Sequence, residues 1–456
     1  MSGMSPAQLS PYPAPSVAWR ATIILSLLYW LSILDRFIIA LLVDPIKRDL
    51  GLTDMQFGLL QGVAFTITFA AFGLLAGALA DRFSRRWIIF ASVSIWSLAT
   101  AACGLAQNFF QLLFARVGVG AGEAGLNPNA NSMLADLFPR DRLTSAMAVY
   151  TIGATIGSGM AYLLGGMIVD LVSNSNPIAL PYIGELRPWQ SVFLIVGIPG
   201  AFMSLLIFTI PEPVRRGKLS TAEAAKRKHL LSSYAELLKF MRPRWKFFTC
   251  HYMGFAIASI VLTSGAMWYP AHMGRSFGWD ASTIGLNLGL TLIVAGVTGK
   301  LLSGFIMDTM YRRGYRDAQL RWYTGCLLVA APIGILATTS DNPWVFLGGI
   351  GVFLILLAPL PACYSTALNL VTPNQLRGTG IAFFAVTGGL IGMAAGPIVV
   401  AAISDYLFGS NLGMAMAATI GVCSPLAALF LFLGCRPMRE AVNEAESWSG
   451  NPVTVN

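Results

Sequence analysis

The sequence predicts an all-α polytopic membrane protein: twelve transmembrane helices in two pseudo-symmetric six-helix bundles around a central cavity. Three observations lead there. Of 456 residues, 55% are hydrophobic and only 11% charged, whereas a soluble domain carries about 25% charged residues to coat its surface. Eight windows (55–80, 87–115, 143–169, 188–211, 247–274, 342–376, 378–404 and 406–435) contain no Asp, Glu, Lys or Arg. Each exceeds the roughly 20 residues needed to cross a hydrocarbon core about 30 Å thick. The two halves of the chain also repeat one another at a shift of 227 residues. Soluble enzyme, nucleic-acid binder and secreted disulfide scaffold are excluded by composition, and a β-barrel would show short alternating segments instead.

In chain order, the apolar runs place helices near 18–44, 54–80, 87–107, 110–137, 143–170 and 188–210, then 246–272, 281–310, 321–339, 343–371, 376–404 and 411–434. The run Ala21–Leu34 continues through Asp35 and Arg36 into Phe37–Val43 with no basic n-region before it and no cleavage site, so it reads as a retained first helix. Segment 211–245, the longest polar stretch, separates an N-terminal bundle (1–210) from a C-terminal bundle with a short tail (246–456). Within this linker Ser220–Thr221 is placed to cap a short helix, and Tyr234–Phe240 is weakly amphipathic, as suits a helix lying on the membrane surface. With both termini inside, 23 of the 30 Lys and Arg fall on inner loops, against Lys47, Arg48, Arg187 and Arg275 on outer ones. The net charge of +9 is therefore a topology signal, and the expected location is the inner (cytoplasmic) membrane, multi-pass, with both termini cytoplasmic. The six cysteines all lie in apolar segments without a C-x-x-C pair and read as small buried hydrophobes. No metal, cofactor, nucleic-acid partner or catalytic nucleophile is expected.

The repeat is carried by GLTDMQFGLL (Gly51–Leu60) and GALADRFSRR (Gly77–Arg86) in the first half, and by GWDASTIGLN (Gly278–Asn287) and GFIMDTMYRRG (Gly304–Gly314) in the second. Gly51 maps on Gly278, Gly58 on Gly285, Gly77 on Gly304, Asp81 on Asp308, and Arg85 and Arg86 on Arg312 and Arg313. Gly77 and Gly304 permit close helix approach, and Asp81 and Asp308 sit where a helix N-terminus or an Arg can meet them. The basic pairs are expected to anchor their loops at the inner headgroups. Two such latches can close the inner mouth and must break when it opens.

GALADRFSRR resembles the helix 2–helix 3 loop signature of the major facilitator superfamily, and the resemblance extends over residues 18–436. More narrowly, LDRFIIALLVDPIKRDLGLTDMQFGLLQG and RVGVGAGEAGLNP resemble Spinster-type members, which include bacterial representatives. The resemblance implies a carrier of sphingosine 1-phosphate or lysophospholipids. It also implies that the acid on helix 1 and the acid–basic pair on helix 4 serve transport, at positions occupied here by Asp35, Arg36, Arg116 and Glu123.

The residues themselves point the same way. A charged side chain at mid-helix costs about 2.5–3.5 kcal/mol on translocon-type scales, so Asp35, Arg36, Arg116 and Glu123 should face one another and a watery cavity rather than lipid. At 1.5 Å per residue, Asp35 lies about 25 Å along helix 1 from its inner end, while Arg116 and Glu123 lie roughly 9 and 20 Å in from the outer end of helix 4. Arg116 and Glu123 share one face, two turns apart, whereas Asp35 and Arg36 point about 100° apart. The four formal charges sum to zero, so a movement of Arg116 away from an acid would take up or release a proton. A static network holding helices 1 and 4 together is the competing reading, although small-residue packing does that job more cheaply.

The run Gly118-x-Gly120-x-Gly122, with Gly125 and Pro128 beyond, suits a helix that both packs closely and bends. Helix 5 carries GATIGSGMAYLLGG (Gly153–Gly166), similar to the superfamily's glycine-rich antiporter motif but with Ser158 in place of its central proline; helix 11 carries GGLIGMAAGP (Gly388–Pro397). Lys300 either snorkels toward the inner surface or lines the cavity, and His251 and His272 read as interfacial histidines. Phe255, Trp268, Tyr269, Tyr364, Phe383 and Phe384 are candidate cavity-wall residues of the otherwise apolar second half. A polar end opposite an apolar wall suits an amphiphile. The expected function is proton-coupled movement of a sphingoid or lysolipid-like substrate by alternating access, with a small organic anion or a hydrophobic drug as the alternative cargo. Protons and membrane lipids are the other expected partners, and a monomer is compatible with all of this.

Overall fold

The first helix starts on Pro15, whose fixed φ suits an N-terminal helical position, and runs Pro15–Phe37. It continues through a 3-10 stretch, Ile38–Leu42, into Val43–Leu50, where Gly51 ends it at φ 66°. The same ending recurs one repeat later: span 7, Trp245–Phe277, stops at Gly278 with φ 67°. After each glycine the next helix is capped from matching positions, by Thr53 in a capping box with Gln56 and by Asp280 accepting from the Thr283 amide. The mapping of Gly51 on Gly278 thus has a backbone cause.

The structure, a computed structural model, describes residues 12–80, 83–174, 179–180, 184–214, 230–373, 376, 379–380, 383–384, 387–388 and 390–448. Among these, the helices group into twelve spans. Span 2 is Asp54–Gln61 and Val63–Ala80, span 3 Arg85–Cys103, and span 4 Phe109–Glu123 and Leu126–Leu137. Span 5 is Arg140–Ser173 and span 6 Pro188–Met203 with a 3-10 end, Ser204–Thr209. Between spans 5 and 6 a two-stranded hairpin pairs Ala179–Leu180 with Gly184–Glu185. Spans 8, 9 and 10 are Ala281–Arg312, Ala318–Thr338, and Pro343–Leu357 with Leu360–Val371. Span 11 is described in part, ending in a π turn, Leu390–Ala394, and Ala395–Leu407; span 12 is Leu412–Trp448. Ten of the described helices are long and apolar enough to cross a membrane, and large apolar side chains such as Phe114, Phe202, Leu301, Phe305 and Phe432 stand exposed around the outside, as a hydrocarbon solvent allows.

Spans 1 and 12 outrun the expected ranges because amphipathic turns extend them beyond the apolar core. Lys47 and Arg48, expected in a loop, lie on the last turn of span 1. Beyond the core of span 12, Arg439 reaches the buried Asp317 at 3.5 Å and Glu444 pairs with Arg244, so the tail is tied to the start of spans 7 and 9. The linker helix, Leu230–Met241, sets Tyr234 against Phe383 at 6.4 Å and buries Leu237 beside Gly380; Ser220–Thr221 lies outside the described residues.

Within the first half, span 1 packs on 5, span 3 on 4 and 6, and span 2 on 4; within the second, span 12 packs on 7 and 9, and span 10 on 8 and 9. The halves meet through spans 5 and 8 and through spans 2 and 11. An even number of crossings puts the start of span 1 and the end of span 12 on one face, together with the repeated Arg pairs; we call it the basic face and its opposite the far face.

Candidate functional site

Tyr29, Ser32 and Arg36 lie three and four residues apart and therefore share one face of span 1. From it, Arg36 donates to Glu123 Oε2 at 2.6 Å and Ser32 donates to the same oxygen at 2.7 Å. Arg36 also sits over the rings of Phe65 and Phe69 on span 2, 4.6 and 5.3 Å from their centroids. The first half's central ion pair is thus Arg36–Glu123, joining spans 1 and 4, and not one along span 4. Arg116 is buried within electrostatic reach of Glu123 and Asp35, 5.8 Å from the Phe65 centroid.

Asp35, one residue away from Arg36, faces the other way, into the wall of its own half against Trp96 and Thr100 of span 3. It is fully buried, and neither carboxyl oxygen has a hydrogen-bond partner among the described residues. The Trp96 indole N–H, the Thr100 hydroxyl and the Arg116 Nε are likewise buried without one. Burying such groups in this way is costly, in contrast to the paired Arg36–Glu123 layer. All four predicted charges therefore gather, in two layers: Arg36–Glu123 on the face of Tyr29, with Asp35 and Arg116 behind.

The glycines of span 4 make this layering possible. A Cβ at Gly120 would meet the Phe65 carbonyl at 2.5 Å and one at Gly122 the Trp96 backbone nitrogen at 2.5 Å, so span 4 lies almost in backbone contact with spans 2 and 3. Just after Glu123 the helix breaks at Ala124–Gly125 and restarts at Leu126, with Pro128 in its first turn unable to bond back across the break.

The far face is shut by a seam of glycines and a cluster of charges. A Cβ on Gly159 would fall 2.4 Å from the Gly289 carbonyl and one on Gly166 2.3 Å from the Ala281 carbonyl, joining spans 5 and 8. Gly285 meets the Tyr162 carbonyl in the same way, and its repeat mate Gly58 lies against Ala401 and Pro397 of span 11. Outside the seam, Arg275 at the end of span 7 reaches Asp44 at 2.7 Å and Asp54 at 2.9 Å, and Lys47 pairs with Asp54. The Met55 amide donates to Asp405 at 2.8 Å. Sequence reasoning missed this latch; its signal was the coincidence of Arg275, a rare outer basic residue, with acids at the outer ends of spans 1 and 2.

On the basic face, Asp81 lies outside the described residues, and Gly77 is described only as helical backbone. Arg85 is almost completely buried rather than set among headgroups. It donates to Asp136 at 2.5 Å, to Ser132, to the Pro213 carbonyl and to Glu212 at 3.0 Å. Glu212 in turn caps span 3 from a distance, accepting from the amides of Arg85 and Arg86 and from the Ser84 hydroxyl. Burial pushes the Glu212 carboxyl up, but these donors outweigh it and hold it below its usual range. In the second repeat, Asp308, Arg312 and Arg313 are exposed, Arg312 donates to the carbonyl of Asp308 at 3.3 Å, and a Cβ on Gly304 would meet nothing within 4 Å among the described residues.

Between the halves, a cavity of about 400 Å³ is lined by Tyr29, Thr151 and Ser158 from the first half and by Leu262, Lys300 and Leu354 among others from the second. Of the aromatic candidates, Phe255, Trp268, Tyr269 and Phe384 are buried in side-chain packing, Trp268 donating to the Pro397 carbonyl at 3.0 Å, while Tyr364 and Phe383 keep partial exposure. His251 and His272 are buried, with His251 Nε2 3.0 Å from the Tyr364 carbonyl.

Two duplicated helical halves, shut against each other at one end and enclosing a cleft beside a buried ion pair, make up a secondary transporter rather than an enzyme. Comparison with known proteins gives the family: residues 25–397 match the Major Facilitator Superfamily, and the chain belongs to it. Within that superfamily the chain is similar to Spinster proteins and to a bacterial efflux pump. It is 25% identical to protein spinster of Drosophila melanogaster, over 89% of this chain and 65% of that protein. It is 28% identical to an MFS-type efflux pump of Mycolicibacterium smegmatis, over 94% of this chain and 96% of that one. A solved structure of a bacterial homolog of the human lysosomal transporter Spinster, in an inward-facing and unoccupied conformation, matches with a TM-score of 0.77 at 24% identity, covering 95% of this chain and 99% of that one.

Proposed function

We propose that this transporter is proton-coupled and moves an amphiphilic, sphingoid or lysolipid-like substrate across the inner membrane by alternating access, with both termini cytoplasmic. The observation that carries the reading is the two-layered charge cluster: an ion pair, Arg36–Glu123, on the face of the cavity residue Tyr29, and behind it Asp35 with both oxygens unpartnered among the described residues. Substrate that competes for Arg36 frees Glu123, and the acids, with Arg116 between them, then exchange a proton with whichever side is open. Residues 1–210 and 246–456 act as the rocking bodies and 211–245 as the linker between them. The shut far-face seam supports reading this state as closed toward the outside. One chain supplies both walls of the pathway, in keeping with a monomer. The Mycolicibacterium relative, named as an efflux pump, favours a second reading in which the cargo is a hydrophobic drug or small organic anion on the same machinery.

The test is flux in proteoliposomes under an imposed pH gradient. Glu123→Gln and Asp35→Asn are each expected to abolish pH-driven accumulation while leaving substrate exchange in the absence of a gradient. Unchanged pH dependence in both variants would overturn the coupling, and carriage that ignores tail length across a homologous series would overturn the amphiphile.

A further inference from the structure

Proline carries no amide hydrogen, so a proline in a helix leaves the carbonyl one turn before it without its usual donor. Inside a membrane such an oxygen must find another donor in the protein or water. Pro270 in span 7 does this to the carbonyl of Ala266, and Pro361, just after the pause in span 10, does it to that of Leu357. In both places a tyrosine hydroxyl takes the vacant acceptor. Tyr323 of span 9 donates to the Leu357 carbonyl at 3.2 Å, and Tyr162 of span 5 donates to the Ala266 carbonyl. Both tyrosines are buried. They differ in what they join. Tyr323 and Leu357 belong to the same half and move together, whereas Tyr162 belongs to the first half and Ala266 to the second.

Tyr162 also sits in the far-face seam, between Gly159 and Gly166. A Cβ on Gly285 of span 8 would fall 2.3 Å from the Tyr162 carbonyl. One residue thus reaches two spans of the opposite half, span 8 with its backbone and span 7 with its side chain. The Phe37 ring of span 1 packs against the Tyr162 ring, with centroids 5.5 Å apart. We infer that the Tyr162–Ala266 hydrogen bond is a conformational catch that favours the state closed at the far face, because the carbonyl freed by Pro270 is satisfied across the halves only while the seam is shut. This rests on the reading of the protein as an alternating-access carrier. When the far face opens, water entering the cleft takes both groups, so the catch releases at a modest net cost. Without the hydroxyl, the carbonyl is orphaned only in the shut state, and that state alone is penalised. The Tyr323 bond holds in either state and carries no such bias.

Hydrogen–deuterium exchange of the full chain in proteoliposomes, read by mass spectrometry, reports the two ends of spans 5 and 8 separately. Tyr162→Phe is expected to raise exchange at their far-face ends about tenfold, the population change that roughly 1.4 kcal/mol produces, with no rise at their basic-face ends. Tyr323→Phe should leave the balance between the faces unchanged. Pro270→Ala returns an amide donor to the Ala266 carbonyl in both states, so adding Tyr162→Phe to it should change far-face exchange by no more than about threefold. A rise at both faces alike, no rise at either, or an undiminished effect on the Pro270→Ala background would each overturn the catch. Arg275→Ala, which cuts the charge cluster outside the seam, separates this inference from the reading beneath it. If it raises far-face exchange while Tyr162→Phe does not, only the catch falls. If neither variant does, alternating access falls with it.

Discussion

Arg85 and Arg312 occupy matching positions in the two repeats and live in opposite surroundings. Arg85 is sealed and spends its guanidinium on Asp136, Ser132, Glu212 and the Pro213 carbonyl, whereas Arg312 stays exposed and turns back to the carbonyl of its own Asp308. A duplicated loop has thus become a brace in one half and a loose end in the other. The brace ties the start of span 3 to spans 4 and 6 on the basic face of the first half. Among the described residues the matching copy has no such anchor.

The largest expected effect breaks this contrast directly. Arg85→Ala removes a buried partner from two carboxylates and should destabilise the detergent-purified protein by about 3–5 kcal/mol in thermal unfolding. Arg312→Ala should stay within about 0.5 kcal/mol; equal losses would mean that the two loops are held alike. A smaller effect tests the cap. Because Glu212 is held below the usual carboxylate range, its contribution is full above about pH 4.3 and is lost as pH falls through the depressed folded-state value. Glu212→Gln should therefore cost about 1–2 kcal/mol at neutral pH, discounted for its partial exposure, and flatten the acid limb of the stability curve. The smallest effect would make the copies more alike. Thr366 lies beside Arg312 in a pocket on the basic face, and Thr366→Glu should add about 0.2–1 kcal/mol as an exposed ion pair.

Most of the fold was legible because a lipid solvent forces long charge-free windows, and these mark helices more sharply than any cap. The repeat was legible too: Gly51 and Gly278 end spans 1 and 7, and Gly58 and Gly285 lie at close contacts between the halves, but Gly304, expected to permit close helix approach, meets nothing within 4 Å among the described residues. The partner choices were not. Spacing put Arg116 and Glu123 on one face, yet Glu123 bonds Arg36, because which of two cations is nearer depends on how spans 1 and 4 cross. The Arg275 latch joins residues 221 apart to Asp54, and the Glu212 cap joins it to Arg85 across 127 residues. Neither has a local pattern. The aromatic residues of span 7 illustrate a related limit: composition cannot tell a ring that lines a cavity from one that fills a core, and Phe255 and Trp268 fill.

The glycines between spans 5 and 8 have a mechanical consequence. Where backbone meets backbone, no rotamer can slide to let the surfaces creep apart, so separation there is abrupt rather than graded. A carrier built on such a join spends little time ajar, which limits the leakage of ions past an empty vehicle.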